Sequence, residues 1–189
     1  MKKIAILASG NGSNAENIAH YLNDITEIEI SIILSNKKNA YVHTRAENLK
    51  IPSMSFNRQM FYESEEVLNV LKENDVNCIV LAGFLWLIPE NLIKAYPDKI
   101  INIHPALLPK YGGKGMYGSF VHEAVHAAKE KETGITIHLV NEKYDDGKIL
   151  FQVKTPLNEA DTPDTIAEKV HALEYEHFPR IVVDHLTQK

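Results

Sequence analysis

The stretch KKIAILASGNGSN, residues 2–14, decides the fold class of this chain. Residues 3–9 form a nearly continuous apolar run, which is typical of a strand covered on both faces of its sheet. The run stops at Gly10, too early for the apolar core of a signal peptide. Residues 13–22 then have helical character, so the stretch predicts a first β-strand, a glycine turn and a first helix.

Strand-like and helix-like runs alternate along the rest of the sequence. The predicted strands cover residues 3–9, 28–34, 51–56, 77–82, 99–104, 134–141 and 148–154. The predicted helices cover residues 13–22, 41–50, 60–73, 89–95, 117–129 and 162–185, and residues 111–118 form a glycine-rich loop. This alternation predicts one α/β domain over residues 1–189, with a mainly parallel sheet, helices on both faces and a late antiparallel hairpin.

Composition argues against several classes of protein. The 189 residues carry 20 Lys and Arg against 25 Asp and Glu, a net charge of −5, which argues against a nucleic-acid-binding protein. The sequence has no run of about 18 apolar residues that would cross a membrane. The single cysteine, Cys78, allows no internal disulfide and is expected to be a core residue. We therefore expect a cytoplasmic protein without nucleic-acid or membrane partners.

The turn at residues 10–14 has the features of an anion-binding site. Gly12 lets the backbone approach a ligand closely, and the free N–H groups at the start of the following helix favour an anion. The two polar residues after it add side-chain donors, which suits a phosphate monoester. With Ala15 the turn also matches the dinucleotide pattern G-x-G-x-x-A, but residues 34–38 offer no carboxylate for a ribose. A plain tight turn with a capping side chain is the third interpretation.

The string His122-Glu123-Ala124-Val125-His126 matches the zinc motif H-E-x-x-H. On a helix this spacing places two imidazoles on one face. The longer form of the motif would need glycine and histidine where the chain has Lys129 and Glu132. A solvated helix face that carries two histidines is the simpler interpretation, so we predict no metal site.

The strand over residues 99–104 ends where α/β sheets bind their ligands. Alternation along it places Asn102 and His104 on one face. A carboxamide can stabilise a developing oxyanion while an imidazole moves a proton, and no Ser or Cys nucleophile accompanies them, which favours direct transfer. Asp145, in the turn at residues 144–147, is a candidate third member that would raise the pKa of the imidazole. On spacing alone, a structural histidine before proline is an equally open interpretation.

Five segments carry a resemblance to a known family. They are LASGNGSN (7–14), VLAGF (80–84), INIHPALLPKYGGKG (101–115), TGITIHLV (133–140) and YDDGKILFQ (144–152). In this order they resemble the phosphoribosylglycinamide formyltransferase family. Its wider superfamily shares the N-x-H-P-x-L-L-P block and the later D-x-G, and the GNGSN turn narrows the resemblance to the glycinamide branch.

The resemblance implies a Rossmann-like formyltransferase fold and a one-carbon transfer. The amine of N1-(5-phospho-D-ribosyl)glycinamide would take the formyl group of 10-formyltetrahydrofolate through a tetrahedral intermediate, a step of de novo purine biosynthesis. The half of the chain at about 1–100 would bind the phosphate, and the half at about 101–189 would bind the folate and carry the catalysis. The enzyme would act on small molecules, without a metal, as a monomer or weak homodimer.

The resemblance also implies residue roles at the positions that match. Asn102 would donate to the oxyanion, His104 would supply a proton, and Asp145 would raise the pKa of His104 and order water. The further implied contacts are Gly12, Ser13 and Asn14 with the 5′-phosphate, Glu174 with the ribose, and Leu85, Trp86, Leu87, Ile88, Asn102, Val140 and Tyr144 with the folate. The other histidines, His138 among them, carry no motif and receive no role.

The chain departs from the family at the folate end. Many relatives carry Met-Arg where this chain has Leu85-Trp86. They also meet the folate tail with an arginine, for which Arg58 or Met60 is the nearest candidate here. Lys114 in the GGKG segment would meet an anion or be a solvated loop lysine.

Three alternatives explain part of the same pattern. A 10-formyltetrahydrofolate deformylase resembles the chain in its Asn, His and Asp, but that family carries an N-terminal regulatory domain, and here strand one follows Met1 directly. Methionyl-tRNA formyltransferases add a C-terminal domain that we do not expect in this acidic chain. A non-catalytic folate- or nucleotide-binding module would explain the glycine turn, but it would not require Asn102, His104 and Asp145 to converge.

Overall fold

Strands and helices alternate through residues 1–187, which the computed structural model describes. The strands are β1 (Lys2–Leu7), β2 (Ile28–Ser35), β3 (Ser53–Ser55), β4 (Cys78–Leu81), β5 (Ile100–His104), β6 (Glu132–Leu139) and β7 (Ile149–Pro156). The helices are α1 (Ser13–Leu22), α2 (Val42–Asn48), α3 (Arg58–Tyr62), α4 (Glu66–Glu73), α5 (Glu90–Ala95), α6 (Ser119–Ala127) and α7 (Pro163–Thr187).

All of these strands lie in one sheet, in the order β3-β2-β1-β4-β5-β6-β7. The pairs among β1 to β5 are parallel, and the pairs β5–β6 and β6–β7 are antiparallel. The prediction of a mainly parallel sheet with a late antiparallel hairpin is therefore confirmed. Chain order reverses at β1, which has β2 on one side and β4 on the other. Ligands of such sheets bind beyond the carboxyl ends of the strands at this reversal.

Two hydrophobic cores cover the two faces of the sheet. Alternate residues of β1 divide between them, with Ile4 and Ile6 in one core and Ala5 and Leu7 in the other. The first core includes residues of α1, α2, α6 and α7, and the second includes residues of α3, α4 and α5. Burying one large apolar side chain stabilises the folded state by about 1.5–3 kcal/mol. Because β1 is covered on both faces, apolar residues are favoured on both of them. Cys78 is buried in the first core, as predicted.

The single helix predicted over residues 60–73 is wrong, because the structure has two shorter helices there. α3 ends at Tyr62 and α4 begins at Glu66. Between them the Ser64 hydroxyl donates to the Met60 carbonyl at 3.2 Å and accepts the N–H of Glu66 at 3.3 Å. A serine side chain that bonds nearby backbone groups replaces helical hydrogen bonds, so the helix is interrupted at this serine.

Pro89 lies one residue before α5 rather than inside its first turn as predicted. Its backbone is extended, with φ −72° and ψ 153°, which is the usual conformation of a residue that precedes a helix. The remaining predicted elements are present, and their ends differ from the prediction by no more than two residues. Within residues 1–187, no helix combines the length and the apolar character needed to cross a membrane.

Candidate active site

A cavity of about 560 Å³ lies at the carboxyl edge of the sheet, where β1, β4 and β5 end. The glycine turn after β1, the segment after β4 and the end of β5 all line it. All the residues that the sequence analysis placed in a site line this cavity: Gly12, Ser13, Asn14, Leu85, Trp86, Leu87, Ile88, Asn102, His104, Val140, Tyr144, Asp145 and Glu174. Those at the ends of β1, β4 and β5 converge because neighbouring parallel strands end at the same edge, and the segment after β6 and helix α7 contribute the others.

His104 is buried at the end of β5, and both of its ring nitrogens have defined neighbours. Nε2 lies 2.7 Å from the carbonyl oxygen of Tyr111. Since a carbonyl only accepts hydrogen bonds, Nε2 carries a hydrogen and donates it. Nδ1 faces the carboxylate of Asp145, with 3.6 Å between Nδ1 and Oδ2. The carboxylate therefore stabilises a second proton on the imidazole when that proton binds Nδ1.

The pKa of His104 is lowered from its ordinary value, because burial disfavours the charged imidazolium. The negative charge of Asp145 and the hydrogen bond to Tyr111 both act to raise this pKa, and a nearby imidazole, His138, acts to lower it. The sequence analysis expected Asp145 to raise the pKa of His104, and the carboxylate does act in that direction. Burial is the larger influence, so the net pKa shift is opposite to the expected one.

Asp145 is held between β6 and β7 by its neighbours. Its backbone is left-handed, with φ 52°, a conformation that Asp tolerates. The N–H of Gly113 donates to Oδ2 at 2.9 Å, and Oδ1 lies 3.6 Å from Nε2 of His138. Burial acts to raise the pKa of Asp145, but His138, His104 and the Gly113 N–H outweigh it and lower that pKa below its usual value. The carboxylate form is therefore favoured.

Close packing explains why the D-x-G pattern ends in glycine, at Gly147. A Cβ on Gly147 would overlap the carbonyl oxygen of Leu139 and lie 2.7 Å from its carbonyl carbon. Only glycine lets the chain after Asp145 pass this close to the end of β6. The spacing of the motif thus keeps the carboxylate beside the sheet edge.

His138, to which sequence reasoning gave no role, is part of the same cluster. It lies directly opposite Asn102 in the β5–β6 register. Its Nδ1 donates to the Leu139 carbonyl at 2.8 Å, and the amide nitrogen of Asn102 donates to its Nε2 at 3.1 Å. This bond orients the Asn102 carboxamide and leaves its second N–H available. Only the pairing of β5 with β6 reveals the contact.

The glycine turn has the geometry of an anion-binding loop. Gly12 is left-handed, with φ 77°, and a Cβ at this position would lie 2.6 Å from Cβ of Val42. Only glycine fits this position. Gly12 offers no side chain to cap α1, so N–H groups of the first turn of α1 have no side-chain partner from the preceding residue. The positive end of the helix dipole adds to their attraction for an anion.

Glu174 of α7 reaches the cavity beside the glycine turn. The amide nitrogen of Asn14 donates to its Oε2 at 2.8 Å, and the carboxyl group is almost fully buried. Burial raises the pKa of Glu174, against the smaller opposing influences of Asn14 and His171. The side-chain oxygen of Asn14 is buried without a hydrogen-bond partner in the described chain. This acceptor is free to bind a donor of a ligand.

The two histidines of the H-E-x-x-H string lie in different environments on α6. His122 is buried and lines the cavity, whereas His126 is exposed. Burial, followed by the neighbouring His171 and His104, lowers the pKa of His122 to about 4, and its buried Nδ1 has no hydrogen-bond partner in residues 1–187. Among those residues, no group of three or more His, Cys, Asp or Glu side chains is arranged to hold a metal ion.

Trp86 and Phe84 line the cavity and belong to an aromatic cluster. Trp86 lies 5.8 to 6.3 Å, between ring centroids, from the four rings of Phe56, Phe61, Tyr62 and Phe84. The guanidinium of Arg58 lies 4.8 Å from the Trp86 ring centroid, a cation–π distance. Arg58 and Met60 were the two candidates for contacting the folate tail. Arg58 is the one that places a positive charge next to Trp86.

A family comparison agrees with this geometry. A sequence model described as formyl transferase matches residues 2–182. The chain belongs to the formyl transferase family. This formyltransferase is 36% identical over 187 residues to the phosphoribosylglycinamide formyltransferase of Bacillus subtilis (strain 168), with 96% of this chain and 93% of that protein covered.

Two further relatives give the same result. The chloroplastic phosphoribosylglycinamide formyltransferase of Arabidopsis thaliana is 38% identical over 96% of this formyltransferase, which spans 64% of that protein's length. The crystal structure of phosphoribosylglycinamide formyltransferase from Bacillus halodurans is 34% identical, with a TM-score of 0.89, 99% of this chain and 96% of that chain covered. The resemblance identified from the sequence is confirmed, and the names of these relatives favour transfer over the deformylase alternative.

Proposed function

We propose that this formyltransferase moves the formyl group of 10-formyltetrahydrofolate to the amine of N1-(5-phospho-D-ribosyl)glycinamide. The products are the N-formyl ribonucleotide and tetrahydrofolate, in the purine biosynthesis that the relatives' activity serves. The observation that carries the proposal is that one cavity is lined by an anion-binding turn, by the aromatic rings of Phe84 and Trp86, and by Asn102, His104 and Asp145. The proposed substrates are both small molecules.

The reaction is a direct transfer between two nitrogens. The acceptor amine attacks the formyl carbon, and the carbonyl oxygen becomes the oxyanion of a tetrahedral intermediate. The free N–H of Asn102 would donate to that oxyanion, and Nδ1 of His104 would do so when the imidazole is in its charged form. The bond between the formyl carbon and N10 of the folate then breaks, N10 gains one proton, and the amine loses one. His104 and Asp145, 3.6 Å apart, are the groups that would carry this proton, directly or through water.

The acceptor would lie along the α1 side of the cavity. The turn carrying Gly12, Ser13 and Asn14 would hold the 5′-phosphate with backbone N–H groups and two polar side chains. Glu174, held by Asn14, would accept from ribose hydroxyls. This half of the site would draw on residues 1–100 and on α7, so both halves of the chain would contribute to acceptor binding.

The folate would lie along the β4 side of the cavity. The segment Leu85–Ile88 would line the pterin pocket, and Val140 and Tyr144 would lie across from it. The Tyr62 hydroxyl donates to the Leu87 carbonyl at 2.9 Å, which fixes this segment. Trp86 would take the place of the family's arginine as an apolar wall, and Arg58 beside it would meet the carboxylates of the folate tail.

The experiment that tests this function is a formyl-transfer assay with and without glycinamide ribonucleotide. Tetrahydrofolate should form from 10-formyltetrahydrofolate only when the ribonucleotide is present, in equal amount with the N-formyl product. Release of formate without the acceptor would identify a deformylase instead. Binding of both ligands without turnover would identify a non-catalytic binding module. A parallel assay with a chelator tests the zinc interpretation, which predicts loss of activity.

A further inference from the structure

Helix α2 supports the glycine turn from the side away from the cavity. The N–H of Val42, its first residue, donates to the Gly10 carbonyl at 3.2 Å. The Val42 side chain also lies so close to Gly12 that no other residue fits there. Gly10 and Gly12 therefore both contact the first residue of this helix.

Arg45, one turn further along α2, binds the middle of the same turn. Its Nε donates to the Asn11 carbonyl at 2.9 Å, and its Nη2 donates to the Asn11 side-chain oxygen at 2.7 Å. These two bonds fix the backbone and the side chain of Asn11 together. A guanidinium can do this because its donors are rigidly spaced, whereas the ammonium of lysine offers one point of charge.

The other side of the guanidinium is occupied as well. Nη1 donates to the carboxylate of Glu16 in the first turn of α1, and the guanidinium carbon lies 5.0 Å from the Tyr41 ring centroid. Arg45 thus joins α2, the turn and α1. Because Glu16 pairs with it, little net positive charge remains to attract an anion from a distance. Arg45 itself is not among the residues that line the cavity.

We propose that Arg45 is a positioning residue, which holds Asn11 and thereby the turn at residues 10–14 in the shape that receives the acceptor's phosphate. This inference rests on the proposed function, because that function assigns the phosphate to the turn. The turn contains two glycines, and a Cβ at Gly10 would meet no atom of residues 1–187 within 4 Å. Without Arg45 the turn has more conformations to lose when ligand binds, and this lost preorganisation lowers affinity.

The test compares Arg45→Met and Arg45→Lys with wild type. Arg45→Met keeps an extended apolar side chain and loses all the hydrogen-bond donors. Arg45→Lys keeps the positive charge and loses the two rigidly spaced donors that bind Asn11. The matched control is Arg180→Met, because Arg180 pairs with Asp184 at 3.1 Å on α7 and does not line the cavity. Titration calorimetry gives the Kd for glycinamide ribonucleotide, for the same compound without its phosphate, and for tetrahydrofolate.

We expect the Kd for the ribonucleotide to rise about tenfold in both Arg45 variants. The Kd values for the dephosphorylated compound and for tetrahydrofolate should stay within about twofold, as should all three in Arg180→Met. Thermal unfolding of each variant shows whether the fold is retained, and Arg45→Lys supplies the measurement if Arg45→Met does not fold.

Three results would overturn the inference. Unchanged ribonucleotide affinity in both variants would show that the turn does not need Arg45. Wild-type ribonucleotide affinity in Arg45→Lys would show that the positive charge, rather than the paired guanidinium donors, supports binding. Equal losses for all three ligands would show a general structural role. If wild type itself binds the two acceptor compounds equally, the phosphate assignment of the proposed function fails, and the inference fails with it.

Discussion

Asp145 and His104 face each other with 3.6 Å between Oδ2 and Nδ1, although one lies in the turn between β6 and β7 and the other ends β5. The Tyr111 carbonyl occupies Nε2 of the same imidazole. Any further proton on His104 must therefore bind Nδ1, on the side of the carboxylate. Asp145 is therefore the group that opposes the effect of burial and favours the charged form of His104.

Replacing Asp145 with asparagine should reduce turnover far more than ligand affinity. Loss of one partner in proton transfer typically costs about 10²- to 10⁴-fold, so we expect kcat for Asp145→Asn to fall within that range. The Kd values for both substrates should change by only a few-fold. Asp146→Asn is the matched control, since Asp146 is exposed and lies 3.8 Å from Lys143. Near-normal kcat in Asp145→Asn would contradict the proposed role.

The pH profile of this variant gives a second expectation. If the protonated imidazole is the active form, the rate falls as pH rises through the pKa of His104. Asp145 acts to raise that pKa, so its loss should move the fall in rate to lower pH. Rate measurements across the pH range on wild type and Asp145→Asn check the direction. A rate that rises, rather than falls, as pH increases through the pKa of His104 would show that neutral His104 is the active form, and a fall moved to higher pH would show that Asp145 does not raise this pKa.

Loss of His138 should disturb the reaction through Asn102. His138→Ala removes the acceptor that orients the Asn102 carboxamide, so we expect kcat to fall about tenfold, the usual cost of about one oriented hydrogen bond. His138→Gln offers a replacement side-chain oxygen and should recover part of the rate. Substrate Kd values should stay near those of wild type, because the backbone pairing of β5 with β6 is retained. A loss of binding with unchanged kcat would assign His138 to substrate binding instead.

The sequence was sufficient to bring together the site residues at the carboxyl ends of β1, β4 and β5, because these predicted strands are parallel and end at one edge of the sheet. Glu174, on α7, came from the family resemblance instead. Gly12 follows β1, Leu85 follows β4, and Asn102 and His104 end β5. It was not sufficient for contacts that depend on packing between distant elements. His138 meets Asn102 only through the β5–β6 register, and the burial that lowers the pKa of His104 has no sequence signature.

A methyl group at Gly12 should destabilise the protein and weaken acceptor binding. In Gly12→Ala the new Cβ would overlap Val42, and a left-handed backbone adds strain, so we expect a loss of about 1–3 kcal/mol in the free energy of unfolding. Gly10→Ala is the control, because a Cβ there lies more than 4 Å from the atoms that the structure describes around it. Urea unfolding of both variants checks the difference. Equal stabilities would mean that the turn and α2 move apart at little cost.

Replacing Arg58 should weaken the binding of folates that carry a glutamate tail. Arg58→Met removes the charge beside Trp86, so we expect about a tenfold higher Kd for 10-formyltetrahydrofolate analogues with the tail. A tail-less pterin should bind wild type and variant equally, which makes the ligand pair an internal control. Equal losses for both ligands would indicate that Arg58 supports the Trp86 wall rather than the carboxylates.

Protonation of His122 should destabilise the protein as pH falls. Burial lowers the pKa of His122 to about 4 in the folded protein, against about 6.5 when the chain is unfolded. Between these values the unfolded state binds more protons, so the free energy of unfolding decreases as pH falls, by at most about 3 kcal/mol. Above about pH 6.5 the imidazole is neutral in both states and the penalty is absent.

The variant His122→Gln should lack this loss, because glutamine is polar but does not titrate. The raised pKa of Glu174 makes the free energy of unfolding increase as pH falls, which opposes the effect of His122. The informative quantity is therefore the difference in stability loss between His122→Gln and wild type. Urea unfolding at pH 7 and pH 4.5 should show wild type losing more stability than His122→Gln. His126→Gln, an exposed change one turn along α6, should follow wild type. Parallel losses in all three proteins would mean that His122 is not the group whose protonation destabilises the fold.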